Sequence, residues 1–353
     1  LFYYIEKSAM CKGWFGASAR RARRHPMLTH LPQTHELIQL MREVLHEVAP
    51  EVIIITETNV PHHENVSYFG SGDDEAQMVY NFALPPLLAH AILNADTKTL
   101  TQWAQSLSLP SNKVCFFNFT ASHDGVGLRP VKGILSDEEI NDLVSKVQGH
   151  GGLVSFRAEE DGSESPYELN CSYMDILSHP DEEDALRVKR MLLSQGAVLA
   201  MPGVPGAYFH SLVGSRNYYD GVKHTGINRA INREKYNADW LEKELSTQGS
   251  LHKTIFDSYK RLISIRISEA AFNPHGTFSF LDLDSRLFAI VQVCINDTEC
   301  ILAIHNFSNE EVTFTIPGTT SLPLKDLLSP YEVDETRKVV IEPYQMMWLK
   351  GNV

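Results

Sequence analysis

From residue 34 onward the apolar positions recur at spacings that alternate between helix and strand. Leu37, Leu40, Met41, Val44, Leu45 and Val48 fall near the helical period and predict an amphipathic helix over 34–48, stopped by Pro50. Residues 52–55 are a continuous β-branched run leading into Thr56-Glu57-Thr58, the pattern of a strand buried on both faces. Further strands are predicted over 78–84 and 114–120, with helices over 86–94 and 100–107 between them. Helices over 137–146 and 181–194 both open on acidic residues, which suit the positive end of a helix. Residues 197–201 lead into the turn Gly203-Val204-Pro205-Gly206 and a short strand near Tyr208, and a long helix is predicted over 251–267.

Beyond residue 276 the period shortens towards two. Short strands over 278–280, 287–293, 300–306, 312–316, 339–341 and 346–349 are separated by Asn, Asp, Gly or Pro, an all-β module of about 75 residues. Strands alternating with helices and then a β tail point to an α/β barrel or open α/β sheet followed by an antiparallel domain. A length of 353 residues suits roughly two domains.

Composition narrows the function. No run reaches the eighteen or so apolar residues of a membrane-spanning helix. A net charge of −13 argues against a general nucleic-acid binder. The five cysteines include no CxxC pair, which predicts free thiols, no zinc site and a cytoplasmic protein. The opening is unlike the rest. Residues 1–30 hold six Lys and Arg against Glu6 alone, a net of +5 that leaves −18 for the remaining 323, and the first Asp in the chain is Asp73. The start lacks Met and has no signal-peptide pattern.

Two charged groups stand directly after strand patterns: Glu57 after 52–56, and His123-Asp124 after 114–122. At the carboxyl ends of barrel strands, such side chains face substrate. Two converging carboxyls are what glycosidic-bond chemistry requires, one to move a proton and one to stabilise or trap a cationic sugar. Phosphate-loop signatures are absent: Gly125-Val126-Gly127 is too short to count. His62-His63-Glu64 is compact, but adjacent residues rarely ligate one ion together.

The segments Ile54-Ile55-Thr56-Glu57-Thr58-Asn59-Val60-Pro61-His62 and Asn118-Phe119-Thr120-Ala121-Ser122-His123-Asp124-Gly125-Val126-Gly127-Leu128-Arg129-Pro130 resemble glycoside hydrolase family 13, the α-amylase family. Within it they resemble the sucrose phosphorylase branch, as do Gly203-Val204-Pro205-Gly206-Ala207-Tyr208-Phe209 and 226–234. The likeness covers about 26–350. It implies part of a (β/α)8 TIM barrel, strands five to eight, over 31–275, and a small antiparallel β domain over 276–353, with 1–30 atypical. The implied activity is a retaining glucosyl transfer from a sucrose-like or glucosylglycerate-like donor to inorganic phosphate, without metal or other cofactor. Glu57 would be the general acid/base, Asp124 the stabiliser of the oxocarbenium-like state, and His123 a ligand of glucose hydroxyls. Arg233 would meet phosphate or an anionic leaving group, with Asn232 beside it, and Tyr167 in 166–170 would shape an acceptor loop.

One part is missing. The resemblance implies a nucleophilic Asp in an Arg-x-Asp motif near Phe15, where the chain reads Gly13-Trp14-Phe15-Gly16-Ala17. Either residues 1–25 or so are an out-of-frame reading, testable in the encoding DNA, or the start is divergent. Half a barrel exposes sheet edges, so self-association through them is expected. The rival functions are an α-amylase-family hydrolase or transglucosidase, and a catalytically inert fragment or carbohydrate-binding remnant.

Overall fold

The computed structural model describes residues 31–159, 162–317 and 323–353. The expectations placed on 1–30, including the nucleophile position near Phe15 and Cys11, lie outside the described residues. The chain divides into two compact units, Leu1–Val52 and Ile53–Val353. In the first, the helix Pro32–Val48 begins on a proline, whose missing N–H is no loss in a first turn. It buries Thr34 and Ile38, whereas Leu37, Leu40, Val44 and Val48, the stripe expected to face a core, are exposed.

The second unit opens with three parallel strands, β1 (Ile55–Thr56), β2 (Met78–Tyr80) and β3 (Cys115–Asn118). The run 52–55 does not form the doubly buried strand its β-branching suggests. Only Ile55 and Thr56 pair, and Ile53 and Ile55 are 51% and 39% exposed. The reason is position: among the described residues β1 is the sheet edge, with a neighbour on the β2 side alone. The strand expected over 78–84 stops at Tyr80, because Leu84 already begins the buried helix Leu84–Asn94 with prolines in its first turn. The helix Lys98–Gln105 follows and returns the chain to β3.

Between β3 and the last parallel strand lies an excursion that the hydrophobic pattern did not reveal. β4 (Val126–Gly127), β5 (Leu153–Ala158) and β6 (Glu164–Asn170) form an antiparallel sheet in the order β4-β6-β5. The helix Asp137–Gly149 within it carries a capping box, Ser136 with Glu139. The next long helix runs Asp184–Ala200, starting later than expected and absorbing residues 197–200. The strand expected near Tyr208 is β7 (Val204–Pro205), paired parallel to β3, and Tyr208 instead precedes the helical turn Phe209–Leu212. Gly203 has φ +119°, and a Cβ there would run into the Phe116 carbonyl oxygen, so only glycine lets the chain pass β3 this closely. Asn81 Nδ2 donates to Asn118 Oδ1 at 3.0 Å and Asn118 Nδ2 to the Pro202 carbonyl at 2.9 Å. These buried amides tie the carboxyl ends of β2 and β3 to the chain just before β7.

The remaining strands are antiparallel: β8 (Thr277–Leu281), β9 (Leu287–Val293), β10 (Glu299–Asn306), β11 (Val312–Thr315), β12 (Leu324–Asp326), β13 (Glu332–Val333), β14 (Lys338–Ile341) and β15 (Met346–Asn352). Six of them form a sheet in the order β13-β12-β15-β10-β9-β8, and β11 pairs with β14. Their alternate residues make one apolar core, with Leu302, Ile304, Met347 and Leu349 joining Val312, Phe314, Val339 and Ile341. This module is fastened to the α/β part by polar contacts: Thr97 Oγ1 donates to the Leu287 carbonyl at 2.9 Å, and Lys350 Nζ meets Glu269 at 2.8 Å. The described cysteines, Cys115, Cys171, Cys294 and Cys300, are free and buried. No described helix is long and apolar enough to cross a membrane.

Candidate active site

Parallel strands deliver whatever follows them to the same sheet edge. Glu57 comes directly after β1, Tyr80 ends β2, and His123 and Asp124 occupy the loop after β3. One carboxylate oxygen of Glu57, one ring nitrogen of His123 and one oxygen of Asp124 lie within 4.8 Å of one another, and His123 Nε2 is 3.7 Å from Asp124 Oδ1. Glu57 and His123 are exposed and Asp124 is half-buried. The three residues singled out from the sequence thus converge.

Asp124 is fixed from one side by the segment after residue 227. Its Oδ1 accepts from Arg229 Nη1 at 2.6 Å and from Arg233 Nη2 at 3.0 Å. Arg233 Nε also donates to the His123 carbonyl, and Asn232 Nδ2 to the carbonyls of Ser122 (3.2 Å) and Asp124 (3.0 Å). Tyr208, after β7, donates through its hydroxyl to the Asn232 carbonyl at 3.1 Å. Asn232 and Arg233, expected beside an acceptor, are therefore engaged in holding the Asp124 loop.

The carboxylate that sequence reasoning missed is Glu168, 2% exposed. Its Oε1 accepts from Arg229 Nε (2.9 Å), Gly125 N (3.1 Å) and Asn170 Nδ2 (2.5 Å), and its Oε2 from Arg229 Nη2 (2.5 Å). Burial of a charge is tolerable only when it is paired this fully. Arg229 was missed with it, although it lies in a quoted motif: no local pattern announces a pair 61 residues apart. The Glu168 hydrogen bonds raise the Arg229 pKa above its ordinary value. Tyr167 is not in a loop but on β6. It is the extra residue of a bulge, since Phe156 pairs with Pro166 and Ser155 with Glu168. Bulges re-aim side chains beside active sites, and this one ends next to Glu168.

An aromatic wall backs the carboxylates. Tyr80 lies 4.6 Å from Phe117 and 5.2 Å from Phe119 between ring centroids. Burial, and then the Glu57 charge, push the Tyr80 phenol up from its ordinary pKa, which keeps it protonated. Glu57, His123 and Asp124 could in principle present three atoms to a cation, but Asp124 Oδ1 already carries two guanidiniums. A dication there would face both, so the cluster suits carboxylate chemistry and not metal binding. His62, of the His62-His63-Glu64 run, packs edge-on against Trp103 at 5.6 Å and is pushed down to about 4 by burial and then by His63. It is a packed histidine. An exposed carboxyl facing a rigidly held one can move a proton beside a developing cationic centre, which is the geometry of glycosyl transfer.

No family model matches the chain. It is 42% identical over 322 residues to the glucosylglycerate phosphorylase of Escherichia coli, covering 91% of this chain and 56% of that protein. It is 40% identical over 332 residues to the glucosylglycerate phosphorylase of Spirochaeta thermophila, with the same coverage. Among solved structures it superposes on the sucrose 6F-phosphate phosphorylase from Thermoanaerobacter thermosaccharolyticum with a TM-score of 0.66 at 17% identity, covering 88% of this chain and 56% of that one. The chain spans about half the length of the curated relatives it matches. Its fold is shared with the sucrose 6F-phosphate phosphorylase, and by sequence it belongs to the branch of glycoside hydrolase family 13 that contains the glucosylglycerate and sucrose phosphorylases.

Proposed function

We propose that this chain carries the acid/base half of a retaining α-glucoside phosphorylase, which moves a glucosyl group from a glucosylglycerate-like or sucrose-like donor to inorganic phosphate and yields α-glucose 1-phosphate. The observation that carries the reading is the convergence of Glu57, His123 and Asp124 at one strand edge. Glu57 protonates the leaving oxygen and later takes the proton of the incoming phosphate. Asp124 stabilises the cationic sugar, and His123 holds its hydroxyls. Arg229 and Arg233 set the position of Asp124. In this reading β1, β2, β3 and β7 are barrel strands five to eight, residues 31–275 are the barrel part and 276–353 the β domain. The protein works in a reducing cytoplasm, where its thiols stay free.

A retaining mechanism also needs a nucleophilic carboxylate about 5 Å from the acid/base. Within these 353 residues only Glu6 precedes residue 36 as a carboxylate, so substantial turnover requires a nucleophile from polypeptide beyond them. The chain is therefore tested alone and co-expressed with the part of the Escherichia coli relative that it does not match. Glucose 1-phosphate appearing only with phosphate, and lost in Glu57→Gln and Asp124→Asn, supports the proposal. Free glucose released at equal rates with and without phosphate identifies a hydrolase instead. No product from the complex, once its assembly is shown by co-elution, identifies an inert chain.

A further inference from the structure

The structure holds two guanidiniums for which the mechanism above has no use. Arg129 lies in the 3-10 turn Arg129–Val131 directly after β4, and Arg157 lies on β5 opposite Ser165. Both are half-buried, and among the described residues neither guanidinium makes a hydrogen bond or ion pair. Burial, and then the nearby Arg157 charge, lower the Arg129 pKa, with Glu64, Tyr167 and Glu159 acting in the opposite direction. Glu159 is already committed to Lys132 and Ser165. Two half-buried guanidiniums with no ion-pair partner among the described residues, offset only from further off by Glu64 and Glu159, are open to a further anion.

Their place in the fold says where that anion comes from. Gly127 is paired with Glu168, and a Cβ on it would lie 2.6 Å from the Asn59 amide. The loop carrying Glu57 thus lies over the segment that links Asp124 to Arg129. The Leu128 N–H donates to the Tyr167 carbonyl at 3.0 Å, and the Arg129 turn packs against the helix His62–Val66. Asn59 Oδ1 and Glu64 Oε2 are buried acceptors without a donor. Unused cationic forks next to unused acceptors match a small molecule that has both a carboxylate and hydroxyls.

We propose that Arg129 and Arg157 form an anion subsite on the acceptor side of the Glu57–Asp124 pair and take the carboxylate of a glycerate-type hydroxy acid. The inference rests on the phosphorylase reading for its substrate, but its residues are distinct from those that carry the chemistry. Arg233, spent on Asp124 and His123, is not this receptor. Glu64 and Asn59 accept from the hydroxyls, which separates the ligand from a simple anion.

The test is an NMR titration of the arginine Nε–H signals of the full chain with D-glycerate, glycerol and inorganic phosphate in turn. D-glycerate is expected to shift Arg129 and Arg157 saturably, and glycerol at equal concentration to leave them in place. Arg129→Gln should weaken glycerate binding by about tenfold or more, the loss of a charge-assisted hydrogen bond, and Arg129→Lys should fall between. Dispersed amide signals in each variant check the fold. Absence of saturable glycerate binding, or undiminished binding in both Arg129→Gln and Arg157→Gln, overturns the proposal. Phosphate saturating the same signals at lower concentration than glycerate overturns the ligand assignment. Failure of the Glu57→Gln assay with glycerate binding intact sinks the phosphorylase reading and leaves the subsite standing, and the converse result does the reverse.

Discussion

Glu168 and Arg229 form a forked ion pair, Nε on Oε1 at 2.9 Å and Nη2 on Oε2 at 2.5 Å, and the third guanidinium nitrogen reaches Asp124. A buried carboxylate on the β5–β6 hairpin therefore sets where the Asp124 loop stands. Removing it leaves a guanidinium with one partner, Asp124, and leaves Gly125 N without its acceptor. Because the Arg229 side chain is one-third exposed, the cost falls short of a fully buried pair. Glu168→Ala should destabilise the fold by about 1–3 kcal/mol, read as a lower urea midpoint at unchanged slope. An unshifted midpoint would show that the fork contributes nothing net.

The sequence made Glu57, His123 and Asp124 visible because each stands at the end of an apolar run, and the parallel sheet brings such ends together. It hid Glu168 and Arg229 for an equally physical reason. The hairpin Leu153–Asn170 is half-exposed along most of its length and bulged at Tyr167, so no clean period-two alternation marks it. The run 52–55 misled in the opposite direction: β-branching reports that a strand forms, while burial depends on what lies beside it.

Histidine burial makes stability depend on pH. His305, fully buried on β10, is pushed down to about 4 by desolvation, while Nδ1 donates to the Phe288 carbonyl at 3.2 Å. His62 is likewise held at about 4. Both pKa values are depressed below the unfolded value near 6.5, so the unfolded chain binds the extra protons. Stability is then fully present above about pH 6.5 and falls as the pH drops towards 4, by about 1.4 kcal/mol per pH unit for His305 and less for His62, which keeps some contact with solvent. His305→Asn, which retains a donor for Phe288, should flatten that decline. Urea midpoints at intervals between pH 4.5 and 7.5 measure it, and equal slopes for the two proteins would refute the assignment.

At Gly203 the backbone itself limits substitution. Its φ of +119° is open to glycine almost alone, and a Cβ would meet the Phe116 carbonyl on β3. Gly203→Ala should cost about 2–4 kcal/mol by pushing β7 away from β3. Loss of protection at the Phe117–Val204 pairing in hydrogen exchange would locate the damage. Retained protection there would mean that the turn relaxes without moving the strand.

The side of β1 away from β2 has no strand beside it among the described residues, and it should govern association in solution. Ile53 and Ile55 are exposed apolar side chains at an edge whose backbone groups have no strand beyond them among the described residues. Such an edge pairs with whatever offers matching N–H and carbonyl groups, and a second copy of the chain offers them at high concentration. The wild-type chain should therefore show a concentration-dependent sedimentation coefficient. Ile53→Lys with Ile55→Glu keeps the backbone but places charge on the edge, which two copies cannot bury cheaply, and should move the distribution towards monomer. Because the substituted side chains are only about half covered, the monomer should lose no more than about 1 kcal/mol of stability relative to wild type, read from its urea midpoint. A wild-type monomer across a hundredfold range of concentration would remove the edge as an association surface. Association that persists unchanged in the double variant would place it elsewhere on the chain.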